Sequence, residues 1–319
     1  MTYSIIIPHK NIPGLLQRCL DSIPRRADIQ IIVVDDNSDP TKVDFDNFPG
    51  LNDPHIEVVF SKEGRGGGYA RNIGLSKAKG KWLIFSDADD YFSQNAFAIF
   101  DKNNTSEMDI LFFGIGIVDE DSIENNDYSF YLENRKDAVI SYRANRRKRK
   151  IAAFYWEPWG KMFLADYIFQ NNLRFSETPV MNDALFYVLA AEKTDKIDAF
   201  EDIVYFYILR NGSTVRTNDK QKEMAVLQES VKVNKVLIRN GYFTDTRNIN
   251  EQLKTMEEFG PDTLVEAKAV YLKNRHRLDC ALFHLLMKFP KMCIMVQNRI
   301  KRTGITVALR HYFAKYIGP

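Results

Sequence analysis

Only three cysteines occur in the 319 residues, Cys19, Cys280 and Cys293, and no two of them are close in sequence. A disulfide framework is therefore excluded, and without histidines clustered at ligand spacing no zinc site is readable. The chain also lacks the roughly 18 uninterrupted apolar residues that a membrane-spanning helix requires. Its best stretch, Leu282 to Val296, is broken by Lys288, Pro290 and Lys291. The opening MTYSIIIPHK carries no basic leader, no apolar core of signal-peptide length and no cleavage site. There is no clear internal repeat and no low-complexity linker. Together these absences predict a cytoplasmic protein that does not cross a bilayer.

What is present is enough apolar material for a core: 45% of the residues are hydrophobic, which argues against intrinsic disorder. A formal charge of +2 hides an asymmetry. Residues 271–319 carry ten Lys/Arg against one acid, Asp279, so the tail is basic and the body acidic.

Over the first hundred residues, apolar β-branched runs alternate with helix-like stretches, the pattern of a parallel sheet covered by helices. Strands are expected at Ser4–Pro8, Gln30–Asp35, His55–Ser61 and Trp82–Ser86, with helices at Leu15–Ile23, closed by Pro24, and Tyr69–Ala78. Further on, Asp109–Val118 reads as a strand, 119–150 as a polar and then basic connection, Ala184–Ala191 as a helix and Ile203–Leu209 as a last strand. From about 218 the pattern is helical, which places a boundary near 215: an α/β domain over 1–215 and a mainly helical, basic region over 216–319.

Two strands end in carboxylates, and a βαβ sheet opens its ligand crevice at the carboxyl ends of its strands. Asp35, Asp36, Asp87, Asp89 and Asp90 are thus expected to converge on one rim. In Phe85-Ser-Asp-Ala-Asp-Asp90, alternate residues leaving a strand tip can aim two carboxylates at one spot, a hard-oxygen set suited to Mg2+ or Mn2+ bridging to phosphate. The same acids can equally form a turn that caps a helix. In Val33-Val-Asp-Asp-Asn-Ser-Asp39, a carboxylate can take hydrogen bonds from a base N–H or a ribose hydroxyl, or else form an Asx-turn. The glycines of Gly64-Arg-Gly-Gly-Gly-Tyr-Ala-Arg-Asn-Ile-Gly74 let backbone N–H groups approach an anion at a helix start, and Arg65 and Arg71 can add charge. Arg71 can alternatively orient the acids.

In this order the segments resemble the family 2 glycosyltransferases. Those open with a strand ending Ile-Pro-x-aromatic-Asn and continue through Val-Val-Asp-Asp-x-Ser, Ala-Arg-Asn-x-Gly-Leu and Phe-x-Asp-x-Asp-Asp. The resemblance is firm over residues 3–92, extends to about 216, and is absent beyond. It implies a Rossmann-like GT-A nucleotide-sugar fold, a UDP-type donor, Mn2+ or Mg2+, and inversion at the anomeric carbon. By position it puts Pro8, Asp36 and the glycine loop with Gly66 around the nucleoside, Asp87 at ribose or metal, and Asp89 as the main metal ligand. One departure is Lys10, which stands where the family has its aromatic residue and is left to meet a phosphate or a surface.

Later landmarks also match. Glu157-Pro-Trp-Gly-Lys-Met-Phe163 is similar to the family's Pro-Trp-Gly-Lys-Leu-Tyr segment, and Val180-Met-Asn-Asp-Ala-Leu-Phe186 to its Glu-Asp-x-Leu-Phe segment. The resemblance makes Asp183 the base that deprotonates the acceptor hydroxyl, with Asn182 where Glu is usual. Trp156 and Trp159 are expected either to stack on acceptor sugar faces or to belong to the core. Tyr205-Phe-Tyr-Ile-Leu-Arg-Asn-Gly-Ser-Thr214 resembles the family's Tyr-Tyr-Tyr-Arg-x-x-x-Gly-Ser ending, so Arg210 or Ser213 can close over a diphosphate.

Arg143-Ala-Asn-Arg-Arg-Lys-Arg-Lys150 packs six cations into eight residues, and the tail around Leu282–Tyr316 mixes apolar and basic side chains. These suggest an anionic partner. The resemblance favours peripheral contact with the inner face of the plasma membrane and a saccharide or lipid-linked saccharide acceptor, with no nucleic acid. Two rival readings remain: a nucleotidyltransferase on a related sheet, which the missing lysine-rich opening signature disfavours, and a nucleic-acid-binding module built on 143–150.

Overall fold

The computed structural model describes residues 1–119, 126–145, 149–210, 219–240 and 249–274, with 242 and 247 as single positions. The chain divides into two compact units, Met1–Arg216 and Thr217–Pro319.

The first unit is built on strands β1 (Tyr3–His9), β2 (Ile29–Asp36), β3 (Ile56–Ser61) and β4 (Trp82–Phe85). It continues with β5 (Tyr91–Phe92), β6 (Ile110–Asp119), β7 (Lys161–Leu164) and β8 (Ile197–Leu209). They form one eight-stranded sheet among the described residues, in the order β3-β2-β1-β4-β7-β6-β8-β5. β1 to β4 run parallel, β7 lies antiparallel between β4 and β6, and β6 and β8 are parallel. Along β1 and β2, alternate residues enter opposite cores: Ile5, Ile7, Ile31 and Val33 on one side, Ile6, Ile32 and Val34 on the other. Both faces are covered, so these strands are apolar at nearly every position rather than at every second one.

Helices α1 (Pro13–Asp21) and α3 (Ala96–Asn103) back the first core, supplying Leu16, Cys19, Leu20, Phe97 and Phe100. Helix α2 (Gly67–Lys77) covers the second core together with α4 (Asn126–Asn145), α5 (Arg149–Phe154), α6 (Ala165–Gln170) and α7 (Ala184–Glu192). Each fully buried Ile or Leu side chain contributes roughly 1.5–3 kcal/mol, so the sheet and its two layers dominate stability.

Several boundaries differ from the sequence expectation. α1 starts at Pro13, because proline suits the first helical turn, and ends before Ser22, whose hydroxyl donates to the Cys19 carbonyl at 2.6 Å. The expected connection over 119–150 contains α4 instead. Its inward stripe is Arg135, Ala138, Val139 and Tyr142, and a buried arginine in that stripe breaks the apolar periodicity. β8 begins at Ile197 rather than Ile203, with Glu201 and Asp202 exposed on it and a bulge against β6 between Phe112 and Ile115. Acids facing solvent at a bulge conceal a strand.

In the second unit, α8 (Lys220–Arg239), α9 (Ile249–Glu258) and α10 (Pro261–Asn274) pack around Met224, Leu227, Val231, Met256 and Ala267. Asp219 caps α8 by accepting from the Gln221 and Lys222 backbone N–H groups at 2.7 and 3.1 Å. Among the described residues no helix is long and apolar enough to cross a membrane. The basic tail 282–316 and residues 146–148 of the cationic run lie outside the described residues. Arg143, at the end of α4, is exposed and 3.6 Å from Glu201.

Candidate active site

The tips of β1, β2 and β4, the loop before α2 and the loop before α7 surround a cleft of about 600 Å³. Its walls include Pro8, Lys10, Asp36, Gly66, Arg71, Asp87, Asp89, Asn182, Asp183 and Arg210. These residues are spread over two hundred positions, and parallel strand tips bring them to one rim.

At the β1 and β2 tips, the His9 Nε2 accepts the Ile12 N–H at 3.1 Å, so Nδ1 carries the hydrogen toward Asp35 at 2.8 Å. Burial works to raise the Asp35 carboxyl, yet hydrogen bonds from His9 and Ser38 hold it below the usual carboxylate value. Asp35 therefore anchors the two strand ends and is not among the residues lining the cleft. Asp36 is the residue that faces it. Its Oδ2 accepts the Gly66 N–H at 2.8 Å and Lys10 Nζ at 3.3 Å, while the buried Oδ1 has no partner. Gly66 carries φ 92, a backbone conformation that strains any side chain, and it is the N-cap of α2.

At the β4 tip, Asp87 forms an ion pair with Arg71, whose other terminal nitrogen donates to Asn182 Oδ1 at 2.8 Å. Arg71 thereby ties the strand tip to the α7 loop. Asp89 Oδ2 receives Arg210 Nη2 at 2.7 Å and Nε at 3.1 Å. Burial and the neighbouring Asp87 charge raise the Asp89 carboxyl, against the pull of Arg210. Asp90 turns away from the cleft: its two oxygens accept the Tyr205 hydroxyl and the Ile208 N–H, each at 2.8 Å. Burial, then repulsion from Asp89 and Asp87, pushes its carboxyl well above the ordinary value. The five acids expected on one rim thus separate into Asp36, Asp87 and Asp89 at the cleft and Asp35 and Asp90 in anchoring bonds.

Asp183 is the N-cap residue of α7, but its side chain caps nothing. The preceding Met181 has φ 52, a left-handed backbone uncommon outside glycine and asparagine. That bend turns the Asn182-Asp183 pair into the cleft. Burial raises the Asp183 carboxyl to about 6, with the Arg71 charge opposing and the Asp87 charge adding. A carboxyl near 6 can accept a proton close to neutral pH.

The two tryptophans are a correction to the acceptor expectation. Trp159 is 7% exposed, stacked on Tyr205 and Tyr207 with the Arg135 guanidinium 5.8 Å from its ring centroid, which leaves no face for a sugar. Trp156 packs against the opposite core and does not line the cleft. Ser213 lies outside the described residues. Three residues that sequence reasoning missed shape the site. Arg18 donates to the Asp89 carbonyl at 2.7 Å, Tyr207 lines the wall, and the Tyr205 hydroxyl accepts the Asp87 N–H at 2.9 Å while donating to Asp90. Arg18 carries no motif of its own, whereas Tyr205 and Tyr207 lie in the segment matched to the family's tyrosine-rich ending, where the sequence pointed only to Arg210 and Ser213.

Among the described residues no group of three or more His, Cys, Asp or Glu could hold a metal. Mg2+ and Mn2+ sites in nucleotide enzymes commonly use one or two carboxylates plus phosphate oxygens and water. Asp87 and Asp89, close enough that the Asp87 charge raises the Asp89 carboxyl, fit that reduced donor set once a diphosphate supplies the remaining oxygens.

The curled α/β sheet is the GT-A fold, which it shares with solved glycosyltransferases. The chain belongs to glycosyl transferase family 2, whose family model matches residues 4–164. Among curated relatives, it is 26% identical over 214 residues to the glycosyltransferase EpsJ of Bacillus subtilis, covering 64% of this chain and 60% of that one. It is 26% identical over 289 residues to the poly(ribitol-phosphate) beta-glucosyltransferase of Bacillus spizizenii, covering 81% of this chain and 43% of the relative. The matched region thus spans about half the length of these two relatives. Among solved structures, S. aureus TarS 1–349 in complex with UDP-GlcNAc superposes with TM-score 0.57 at 18% identity, covering 86% of this chain and 89% of that 1–349 chain. The mannosyltransferase PcManGT from Pyrobaculum calidifontis, in complex with GDP-Man and Mn2+, gives TM-score 0.52 at 16% identity over 98% of this chain and 86% of PcManGT. At these identities the two structures speak for the fold. The family leaves the nucleotidyltransferase and nucleic-acid readings without support.

Proposed function

We propose that this chain transfers one sugar from a UDP-type donor to an acceptor hydroxyl, with inversion, in the assembly of a cell-surface polysaccharide or glycolipid. The observation that carries it is the meeting, in one cleft, of the paired acids Asp87 and Asp89 with a separate carboxyl, Asp183, raised to about 6. One set suits a leaving diphosphate and the other a proton acceptor. One relative named as acting on poly(ribitol-phosphate), and a fold neighbour holding UDP-GlcNAc, point to the same class of polymer and donor.

In this reading Pro8, Asp36 and the Gly66 loop cradle the nucleoside. Asp89, with Asp87, holds Mn2+ or Mg2+, which when bound neutralises charge on the departing diphosphate. Arg71 positions Asp87 and Asn182, and Arg210, already on Asp89, faces the phosphates. Asp183 takes the proton from the acceptor hydroxyl as its oxygen attacks the anomeric carbon opposite the leaving group. The basic composition of 143–150 and of the tail suits delivery of a lipid-linked saccharide at the cytoplasmic face of an anionic membrane.

The test is metal-dependent consumption of a panel of UDP- and GDP-sugars, paired with UDP binding by calorimetry. Asp89→Ala is expected to weaken Mn2+-dependent UDP binding by at least the roughly 10–100-fold that losing even an outer-shell partner costs. Wild-type protein that with Mn2+ neither binds UDP nor consumes any donor overturns the reading.

A further inference from the structure

Strand β4 is only four residues long. Past its end the Ser86 N–H still donates to the Ile6 carbonyl of β1, at 3.1 Å, and the chain then leaves the sheet. The Asp90 N–H donates to the Asp87 carbonyl at 3.2 Å, closing a β-turn with Ala88 and Asp89 at its centre. That turn carries both of the paired acids that line the cleft, Asp87 and Asp89. Two carboxylates at alternate positions repel each other, and a turn free to relax would let them separate.

The turn is instead held from two sides. On one stands Tyr205 of β8, fully buried with its ring stacked on Trp159. Its hydroxyl accepts the Asp87 N–H at 2.9 Å and donates to Asp90 Oδ2 at 2.8 Å, so one oxygen ties the first residue of the turn to the last. Asp90 Oδ1 accepts the Ile208 N–H at 2.8 Å, which fastens the same end to the β8 backbone. On the other side Arg18 of α1 donates Nη2 to the Asp89 carbonyl at 2.7 Å, with its guanidinium 5.5 Å from the Tyr91 ring centroid. The turn is thus fixed at its first, third and last residues. Neither Tyr205 nor Arg18 lines the cleft, so any effect they have on a ligand passes through the turn.

Resting on the transferase reading, we infer that Tyr205 and Arg18 are positioning residues for the donor: they hold Asp87 and Asp89 together, against their mutual repulsion, in the arrangement that receives a divalent cation with its diphosphate. The cost of keeping two like charges adjacent is met when the chain folds. The site therefore has little left to order when the cation and donor arrive.

Calorimetric titration of the full chain with UDP over a series of Mn2+ concentrations, paired with thermal melts, tests this. Tyr205→Phe removes one hydroxyl and keeps the ring. Apparent Mn2+ affinity at saturating UDP should fall about 10–100-fold, the usual effect of losing a group that supports a metal ligand. Arg18→Met keeps the side-chain stem without its donors and should weaken Mn2+ about tenfold. Arg18 is only half-buried, so this variant decides the matter should Tyr205→Phe fail to fold. Phe100→Leu is the control, since Phe100 belongs to the same core as Tyr205 and does not line the cleft. It should lower the melting temperature and leave Mn2+ affinity unchanged. If Tyr205→Phe or Arg18→Met folds and binds Mn2+ and UDP as wild type does, whatever its melting temperature, the inference fails. It fails equally if Phe100→Leu weakens Mn2+ as much as they do, because general loosening then explains the loss. Wild type without Mn2+-dependent UDP binding sinks the donor reading beneath, and this inference with it.

Discussion

At the residue scale the site turns on which carboxylates are kept apart from cations. Asp87 and Asp89 are paired with Arg71 and Arg210, whereas Asp183 does not cap α7 and forms no ion pair among the described residues. Burial then decides its proton affinity, with Arg71 as the main opposing charge. Asp183→Asn removes the proton acceptor while keeping its shape. Turnover should fall roughly 10²–10⁴-fold with donor affinity kept, because a base acts in the transition state. In the wild type kcat/KM should decline as pH drops through about 6, where Asp183 takes up a proton and can no longer accept one. A pH–rate series on both proteins checks this, and wild-type turnover in Asp183→Asn would remove the assigned base. Most of these residues were legible in the sequence because each sits in a short segment with its own chemistry. Asp35 and Asp90 show the limit: an acid run reveals carboxylates but not which ones turn inward toward His9 or Tyr205.

At the element scale, the α7 loop is held against α2 by close backbone contact. A Cβ on Gly68 would stand 2.0 Å from the Ser176 carbonyl oxygen and 2.8 Å from Asn182 Cβ. The Ser176 N–H in turn donates to the Asn182 carbonyl at 2.9 Å, so this approach sets where Asn182 and Asp183 lie. Gly68→Ala should cost about 1–3 kcal/mol of stability from overpacking. It should also lower kcat well beyond its effect on donor affinity, since a displacement of the order of 1 Å at a reacting group can cost about a hundredfold. Denaturant melts and steady-state kinetics with UDP binding separate the two effects, and unchanged kcat would show that the loop is positioned otherwise. Six of the strands were readable from apolar runs, whereas the short β5 and β7 were not and β8 starts earlier than expected. The helix within 119–150 was not readable either, because Arg135 occupies its inward stripe and Glu157 makes that burial tolerable only in three dimensions.

At the scale of the whole first unit, one charge cluster lies inside the fold. Arg135, Glu157 and Lys161 are buried together: the Arg135 guanidinium pairs with the Glu157 carboxylate, and Lys161 Nζ donates to the Glu157 carbonyl while sitting 4.4 Å from the Tyr187 ring centroid. Two cations against one carboxylate in a core is unbalanced. Burial, with Arg135 adding, lowers the Lys161 ammonium from 10.5 to about 7, against the pull of Glu157 and Asp183. Between those two values the unfolded chain holds the proton that the folded chain has lost, so stability should rise as pH climbs from 7 toward 9. The gain over that interval should be on the order of 1–2 kcal/mol. Lys161→Met should flatten the slope in thermal melts across the same range, and a slope equal to wild type would refute the assignment.

The sequence by itself determined the family, the parallel first half of the α/β sheet and the identity of the acids at its strand tips, because apolar runs and short motifs are local properties of a chain. Only the tertiary structure decided which acids face the cleft, that Trp159 belongs to the core, and that Lys10 stands beside an unsatisfied oxygen of Asp36. Those outcomes depend on which distant side chains arrive as partners, and packing assigns partners across separations that no local pattern records.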